Sequence, residues 1–246
     1  MVTVTATSNQ NTGVFGTFTV TVNPQAAGAN VAPLVVDAGP PQLNPPAVNI
    51  PFTTVTVCVP NTTTCQTIDH VTVDTGSSGL RLVSSVLTIT LPPETDPNNN
   101  NDPFGECLVF LDGYIWGNVV TADVTVGGEK ASGIPVHVII PQNASPSVPG
   151  TCSSQNPSGG AGNEGGTNNS NSVDTFGANG LIGVGTVTQD CGSYCVSQGS
   201  SCNGTSQSPC LYYDCPPSGC TPANIALSQQ IPNPIIDFPV DNNGVL

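Results

Sequence analysis

From Val48 onward the chain runs as short stretches of alternating β-branched and polar residues, each closed by Gly, Pro or Asn. Few folds accept that rhythm. Phe52 to Val59 and Thr67 to Val73 alternate with period two and predict a hairpin. Leu80 to Thr90 continues apolar, Cys107 to Phe110 and Ile115 to Val126 predict a second hairpin, and Gly133 to Ile140 a further strand. One segment reads as a helix, Pro222 to Gln230, with Thr221 as N-cap and Pro222 at the first helical position. Strands this short, at this spacing, argue an all-β, barrel-like domain carrying one short helix.

The first 24 residues read differently. Val2 to Thr7 and Thr17 to Val22 alternate around a polar turn at Asn9 to Gly13. Ala6-Thr7-Ser8 followed by Gly16-Thr17-Phe18-Thr19-Val20-Thr21-Val22 resembles the last hairpin of bacterial immunoglobulin-like domains. A lone hairpin is marginally stable in water, so residues 1–24 are expected to be the end of a truncated domain. Residues 25–33 form a Pro/Ala/Gly/Asn linker, and residues 34–246 form the main domain. Within that domain Pro92 to Pro103 is a polar loop, and Pro141 to Ser172 is rich in Gly, Asn and Ser.

Charge is scarce and one-sided. Charged residues make up 7% of the chain, against about 25% in ordinary domains. Arg81 and Lys130 are the only Lys or Arg side chains against sixteen acids, for a formal charge of −14. That balance argues against nucleic acid and anionic membrane surfaces as partners. No apolar run is long enough to span a membrane. Met1 leads into a strand pattern rather than a signal peptide, so an export-type chain without its export signal is expected to be a fragment.

Ten cysteines point to an oxidising compartment, which places the protein outside the cell, at its surface or in a periplasm. Cys58 and Cys65 flank the turn Pro60-Asn61-Thr62-Thr63 and would staple it, leaving Cys107 and Cys152 as a pair. Cys191, Cys195, Cys202, Cys210, Cys215 and Cys220 crowd a Gly/Ser-rich stretch, and their connectivity stays open. Without a C-x-x-C, and with His70 and His137 far off in sequence, disulfides are expected over metal, and no cofactor is called for.

The run Val71-Thr72-Val73-Asp74-Thr75-Gly76-Ser77-Ser78-Gly79-Leu80 carries the chemistry. An aspartate at the end of an apolar strand is costly to desolvate unless the following turn supplies donors. Thr75 and Ser77 bring hydroxyls, Gly76 permits close approach, and the turn brings N–H groups. Asp37 and Asp174 also precede a nearby glycine. Asp37-Ala38-Gly39 is followed by two prolines and lacks hydroxyls, and Asp174-Thr175-Phe176-Gly177 places Phe where the small residue is needed; both read as turn residues.

The Asp74 run resembles the active-site loop in the amino-terminal lobe of pepsin-like aspartic peptidases. Phe110 to Gly117, with Asp123 to Gly128, is similar to that lobe's flap hairpin and the strand after it; Ala178 to Gly185 is similar to its apolar-apolar-Gly signature. Thr221-Pro222, Ala226-Leu227 and Pro234 to Phe238 resemble the helix and strand that close the lobe. Val36 to Pro40, Thr67 to His70 and Gly113 to Gly117 are also similar to stretches of a bacterial family known only as a domain of unknown function. The likeness covers about residues 47 to 246 and implies a disulfide-stabilised, pepsin-like acid-protease lobe.

In that family two aspartates close together share a proton. One takes a proton from the attacking water and the other donates to the peptide carbonyl. The resemblance implies that Asp74 is one member, that Thr75 braces the paired loops, that Gly76 lets them approach and that Ser77 bonds the outer oxygen of Asp74. Phe110, Gly113, Tyr114 and Trp116 fall in the flap; Phe110, Tyr114 and Trp116 stay open as alternatives for its substrate-facing aromatic, against core packing for each. Arg81 stands where the pattern has Trp, which either removes a flap partner or brings a cation near the cleft. The chain holds no second D-[ST]-G, so the reading expects a missing carboxy-terminal lobe or a second subunit to supply the other carboxylate. The expected function is an exported aspartic endopeptidase acting on polypeptides. The alternatives are a non-catalytic pepsin-fold surface module binding peptide or glycan, and a homodimer pairing two copies of Asp74.

Overall fold

The computed structural model describes residues 2–5, 17–20, 30–110, 113–154, 171–205 and 208–239. The expected turn at 9–13, linker residues 25–29, Leu111 and Asp112, residues 155–170 of the Gly/Asn-rich stretch, and Asp241 to Leu246 lie outside them. Strands β1 (Val2–Thr5) and β2 (Thr17–Val20) pair antiparallel, Val2 opposite Val20. The main domain follows with β3 (Phe52–Cys58), β4 (Cys65–Asp74), β5 (Ser78–Val83), β6 (Thr95–Asp96), β7 (Asp102–Val109), β8 (Tyr114–Val126) and β9 (Glu129–Ile139). Single-turn helices α1 (Gly150–Ser153), α2 (Val173–Phe176) and α3 (Ser193–Val196) punctuate the rest, with β10 (Gly180–Val184), β11 (Tyr212–Asp214) and β12 (Thr221–Pro222).

β8 pairs with β3, β3 with β4, β4 with β10, β10 with β5, β5 with β9, and β9 returns to β8. Six strands therefore close into a barrel, which removes exposed edges. Inward positions are aliphatic, as the alternation requires: Val55 and Val57, Leu80 and Leu82, Ala122 and Val124, Val136 and Ile182 are all buried. Each larger aliphatic side chain stabilises the barrel by about 1.5–3 kcal/mol relative to exposure. β7 continues the sheet from β8, β11 from β7 and β12 from β11.

β4 contains the feature that aims the site. Thr53 pairs with Val71, but Val55 pairs with Ile68, so Asp69 and His70 together oppose the single residue Thr54. This is a β-bulge, and His70 takes a φ of +48° to make it. Upstream of the bulge Ile68 faces the barrel; downstream Val71 and Val73 do. The inward parity changes from even to odd, and Asp74 and Thr72 are left on the outer face.

The five disulfides are Cys58–Cys65 at the β3–β4 turn, Cys107–Cys152, Cys191–Cys195, Cys202–Cys210 and Cys215–Cys220. The two expected pairs form, and the six later cysteines join in sequence order. With Tyr114, Trp116 and Tyr213, several of them build a second core outside the barrel. The helix expected over Pro222 to Gln230 does not form. Thr221 and Pro222 pair with Asp214 and Tyr213, Ala223 N–H donates to the Tyr212 carbonyl, and only Leu227–Gln229 turns, as a 3-10 helix. Sheet pairing outcompetes the N-cap signal there. Pro234–Asp237 is also a 3-10 turn rather than a closing strand.

Candidate active site at the β4–β5 turn

β4 and β5 are consecutive, joined by the Asp74 turn, yet they do not pair with each other. β10 runs between them, parallel to β4 with Gly183 opposite Asp74, and antiparallel to β5 with Gly183 opposite Gly79. The turn therefore arches over β10, and β10 can admit it only by carrying glycine there. A Cβ on Gly183 would lie 2.6 Å from the Ser77 carbonyl carbon and the Ser78 nitrogen; one on Gly185 would lie 2.7 Å from the Ser77 oxygen. Gly185 N–H donates to the Ser77 carbonyl at 2.8 Å, Ser78 Oγ donates to the Val187 carbonyl at 2.7 Å, and Asn233 Nδ2 donates to the Gly185 carbonyl at 2.8 Å.

On this support Asp74 is half-buried, and its Oδ1 accepts from the Gly76 N–H at 2.8 Å. Thr75 and Gly76 are exposed. Ser77 Oγ is buried and has no hydrogen-bond partner among the described residues, so the bond expected from Ser77 to Asp74 is not made in this structure. Among the described residues no second carboxylate is hydrogen-bonded to Asp74.

Beside Asp74 lies a cavity of about 360 Å³. Its floor is Thr72 and Leu181, which pair across β4 and β10 one step before Asp74 and Gly183. Residues i and i+2 of a strand share a face about 7 Å apart, so cavity and carboxylate are neighbours on the same outer surface. Leu43, Pro45 and Ile50 wall one side; Phe110, Phe176 and Asp174 wall the other. Asp174 belongs to α2, where the Ser172 hydroxyl donates to it at 2.6 Å and holds its carboxyl below the usual range. Asp37 Oδ1 accepts from Gly39 N–H at 2.8 Å, in an exposed turn whose glycine has φ +75°. Asp37 occupies a turn, as its sequence suggests; Asp174 lies in the first turn of helix α2 instead.

The residues read as a flap divide. Phe110 N–H donates to the Gly113 carbonyl at 2.8 Å to narrow the β7–β8 connection, and Phe110 reaches the cavity. Gly113 is buried. Tyr114 and Trp116 are buried in the second core, away from the cavity. Trp116 stacks edge-on against Tyr213, with ring centroids 5.2 Å apart, and its Nε1 donates to the Pro146 carbonyl at 2.9 Å.

Residues 26–246 match the family model described as "Protein of unknown function (DUF3443)". The chain belongs to that family. No curated protein matches it.

In this DUF3443 chain the sequence reading missed a buried ionic network beneath the Asp74 turn. Arg81, on β5, is fully buried and donates Nη1 to the Ser78 carbonyl at 2.6 Å. Its Nη2 reaches Glu106 Oε1 and Asp190 Oδ2, each at 2.9 Å. His137 Nδ1 lies 2.8 Å from Glu106 Oε2, and Tyr212 Oη donates to Asp190 Oδ1 at 2.8 Å. Burial alone would raise Glu106, but Arg81 and His137 outweigh it and hold the carboxyl well below its ordinary range. Asp190 is pushed up instead, by burial and by the Glu106 charge. Arg81 is thus a brace for the back of the turn, neither a flap partner nor a cation in the open cleft. The other basic side chain, Lys130, is paired with Asp123 at 2.6 Å. Both are engaged in ion pairs. Among the described residues no helix is long and apolar enough to cross a membrane.

Proposed function

We propose that the chain is the amino-terminal half of an exported aspartic-type endopeptidase, with Asp74 as one of two catalytic carboxylates. One observation carries the reading. A half-buried carboxylate is held on the outer face of the barrel, at a turn that arches over an intervening strand, two residues beyond Thr72 on the floor of a cavity. The hydrogen bonds at Ser77 and Ser78 and the bond from Gly76 N–H hold the carboxylate in place. The second carboxylate comes from a carboxy-terminal lobe or a second subunit. Brought within hydrogen-bond reach of Asp74, it shares one proton with it, and the pair titrates jointly. The ionised member takes a proton from a water poised between them, and the protonated member donates to the peptide carbonyl oxygen. The cavity takes a neighbouring apolar side chain of the polypeptide substrate, with Phe110 and Phe176 against it.

The test is hydrolysis of a denatured protein at acid pH by a polypeptide carrying both halves, with Asp74→Asn as the variant. Activity lost on substitution, with the fold retained, supports the reading; undiminished cleavage refutes it. A second reading has its own support: no second carboxylate meets Asp74 among the described residues. On that reading the cavity binds peptide or glycan without cleaving it, and Asp74→Asn leaves binding intact with no hydrolysis in either form.

A further inference from the structure

Independently of the Asp74 site, we propose that the loop from Asp96 to Asp102, together with Asp214, is a binding site for a hard divalent cation of the calcium class. The sequence of the loop is Asp96-Pro97-Asn98-Asn99-Asn100-Asn101-Asp102, so two carboxylates bracket four amides. It closes the β6–β7 hairpin, in which Asp96 and Asp102 are directly opposed. Asp214, on β11, is opposite Phe104 of β7, two residues beyond Asp102. Strand alternation puts Asp96, Asp102, Phe104 and Asp214 on one face of the sheet, with Asp214 diagonal to Asp102. Like charges placed directly across a ladder destabilise it, and here a third acid is added.

The decisive residue is Asp214. It is 8% exposed, and its Oδ1 is buried with no hydrogen-bond partner among the described residues. Its Oδ2 accepts from Asn99 Nδ2 at 3.1 Å, so the carboxylate is turned toward the loop. A buried carboxylate oxygen without a donor is expensive. The chain has no base to spare for it. Arg81 is bound to Glu106 and Asp190, Lys130 to Asp123, His137 to Glu106 and His70 to Asp37 and Asp69. Burial pushes the Asp214 carboxyl up, Asn99 opposes that, and the Asp96 and Asp102 charges add to it.

A bound cation answers all three acids at once. Calcium accepts six to eight oxygen ligands in irregular arrangements, including carboxylates, amide oxygens and backbone carbonyls. The loop is rich in all of these, and soft or nitrogen ligands are missing from it. Among the described residues no three His, Cys, Asp or Glu side chains are already gathered closely enough to hold an ion. Asp96 Oδ1 already accepts from the Asn98 N–H at 2.8 Å, so the ion would have to draw the three aspartates together around it.

The test uses the intact chain with its disulfides formed, freed of metal with a chelator and titrated with calcium chloride at neutral pH and constant ionic strength. Extracellular calcium modules bind in the range of about 10⁻⁴–10⁻³ M. At ten millimolar calcium the thermal midpoint should therefore rise by about 5 °C. In Asp214→Asn and, as a second variant, Asp96→Asn, the rise should fall below about 1 °C. A wild-type midpoint unmoved by calcium would overturn the proposal, and the neutral, protonated form of Asp214 would then account for its buried oxygen. Equal shifts in wild type and variants, or with magnesium in place of calcium, would reduce the effect to screening of a very acidic protein and also overturn it.

Discussion

Asp37 and Asp74 make the same local bond. Each carboxylate accepts the N–H of a glycine two residues on, at 2.8 Å in both cases. Each sits in an Asp-x-Gly triplet. What differs is everything behind the turn. The Asp37 turn is exposed and meets little beyond Leu43, Phe52 and the His70 ring. The Asp74 turn rests on β10, is tied down at Ser77 and Ser78, and is backed by a buried arginine with two acids. The comparison teaches that the triplet supplies a carboxylate and the strand arrangement supplies its rigidity.

The sharpest way to break the comparison is to neutralise each aspartate. In a polypeptide that supplies the second carboxylate, Asp74→Asn should reduce acid-range hydrolysis by at least about 10²–10⁴-fold, the usual worth of a general base. Asp37→Asn should leave the rate unchanged. Equal losses in a steady-state assay would mean that the support behind the turn is irrelevant.

The next effect concerns the brace. Glu106→Gln leaves Arg81 and His137 without their shared carboxylate in a fully buried site. Breaking such a pair from one side costs about 3–5 kcal/mol, and urea denaturation should show the midpoint falling accordingly. An unchanged midpoint would mean that the network carries no stability.

Gly183 and Gly76 separate support from tip. Gly183→Ala pushes a methyl into the Ser77–Ser78 backbone and should cost about 1–3 kcal/mol. At Gly76 the nearest heavy atom to an added methyl is Asp74 Oδ1 at 3.3 Å, so Gly76→Ala should shift stability by only about 0.5 kcal/mol. Similar denaturation midpoints for the two would show that the turn can lift off β10.

The smallest effect is a pH slope. The Asp190 pKa is raised in the folded state, so its contribution is full below the ordinary value of 3.8 and is lost as pH rises through the folded value. Glu106 has the opposite sign: its contribution is full above the ordinary 4.5 and is lost only as pH falls through its depressed value. Between about pH 4.5 and the raised Asp190 value, stability from this pair therefore declines with rising pH. Asp190→Asn should flatten the slope by at most about 1.4 kcal/mol per pH unit. Thermal midpoints of both forms between mildly acidic and neutral pH would show it.

Much of the barrel was legible in the chain because its strands are half-buried and alternate. Val55 and Val57 against Thr54 and Thr56 need no tertiary knowledge. The Asp74 turn was legible for the same reason, since a β-branched strand ends abruptly in hydroxyls and glycine. Tyr114 and Trp116 were harder to place, because the disulfide-linked segment covers their face of the β7–β8 hairpin and makes core positions of them. Thr221-Pro222 carries real helix-start chemistry, but β11 offers backbone partners that no local pattern reveals. The Arg81 network was invisible for a related reason: its acids lie 25 and 109 residues away and carry no motif.

The bulge at Asp69 and His70 makes the site depend on arithmetic as much as on chemistry. Replacing either residue changes a surface side chain. Deleting one would remove only the extra residue and restore simple alternation, with Ile68, Val71 and Val73 still inward and Asp74 still outside. Deleting Thr72, beyond the bulge, would instead carry the carboxylate of Asp74 from the outer face into a lining of valine and leucine. Substitutions and single deletions at the bulge are therefore expected to be forgiven, and a single-codon deletion between Val71 and Asp74 is not. The length of the strand between Val71 and Asp74 is as much a part of the site as the aspartate itself.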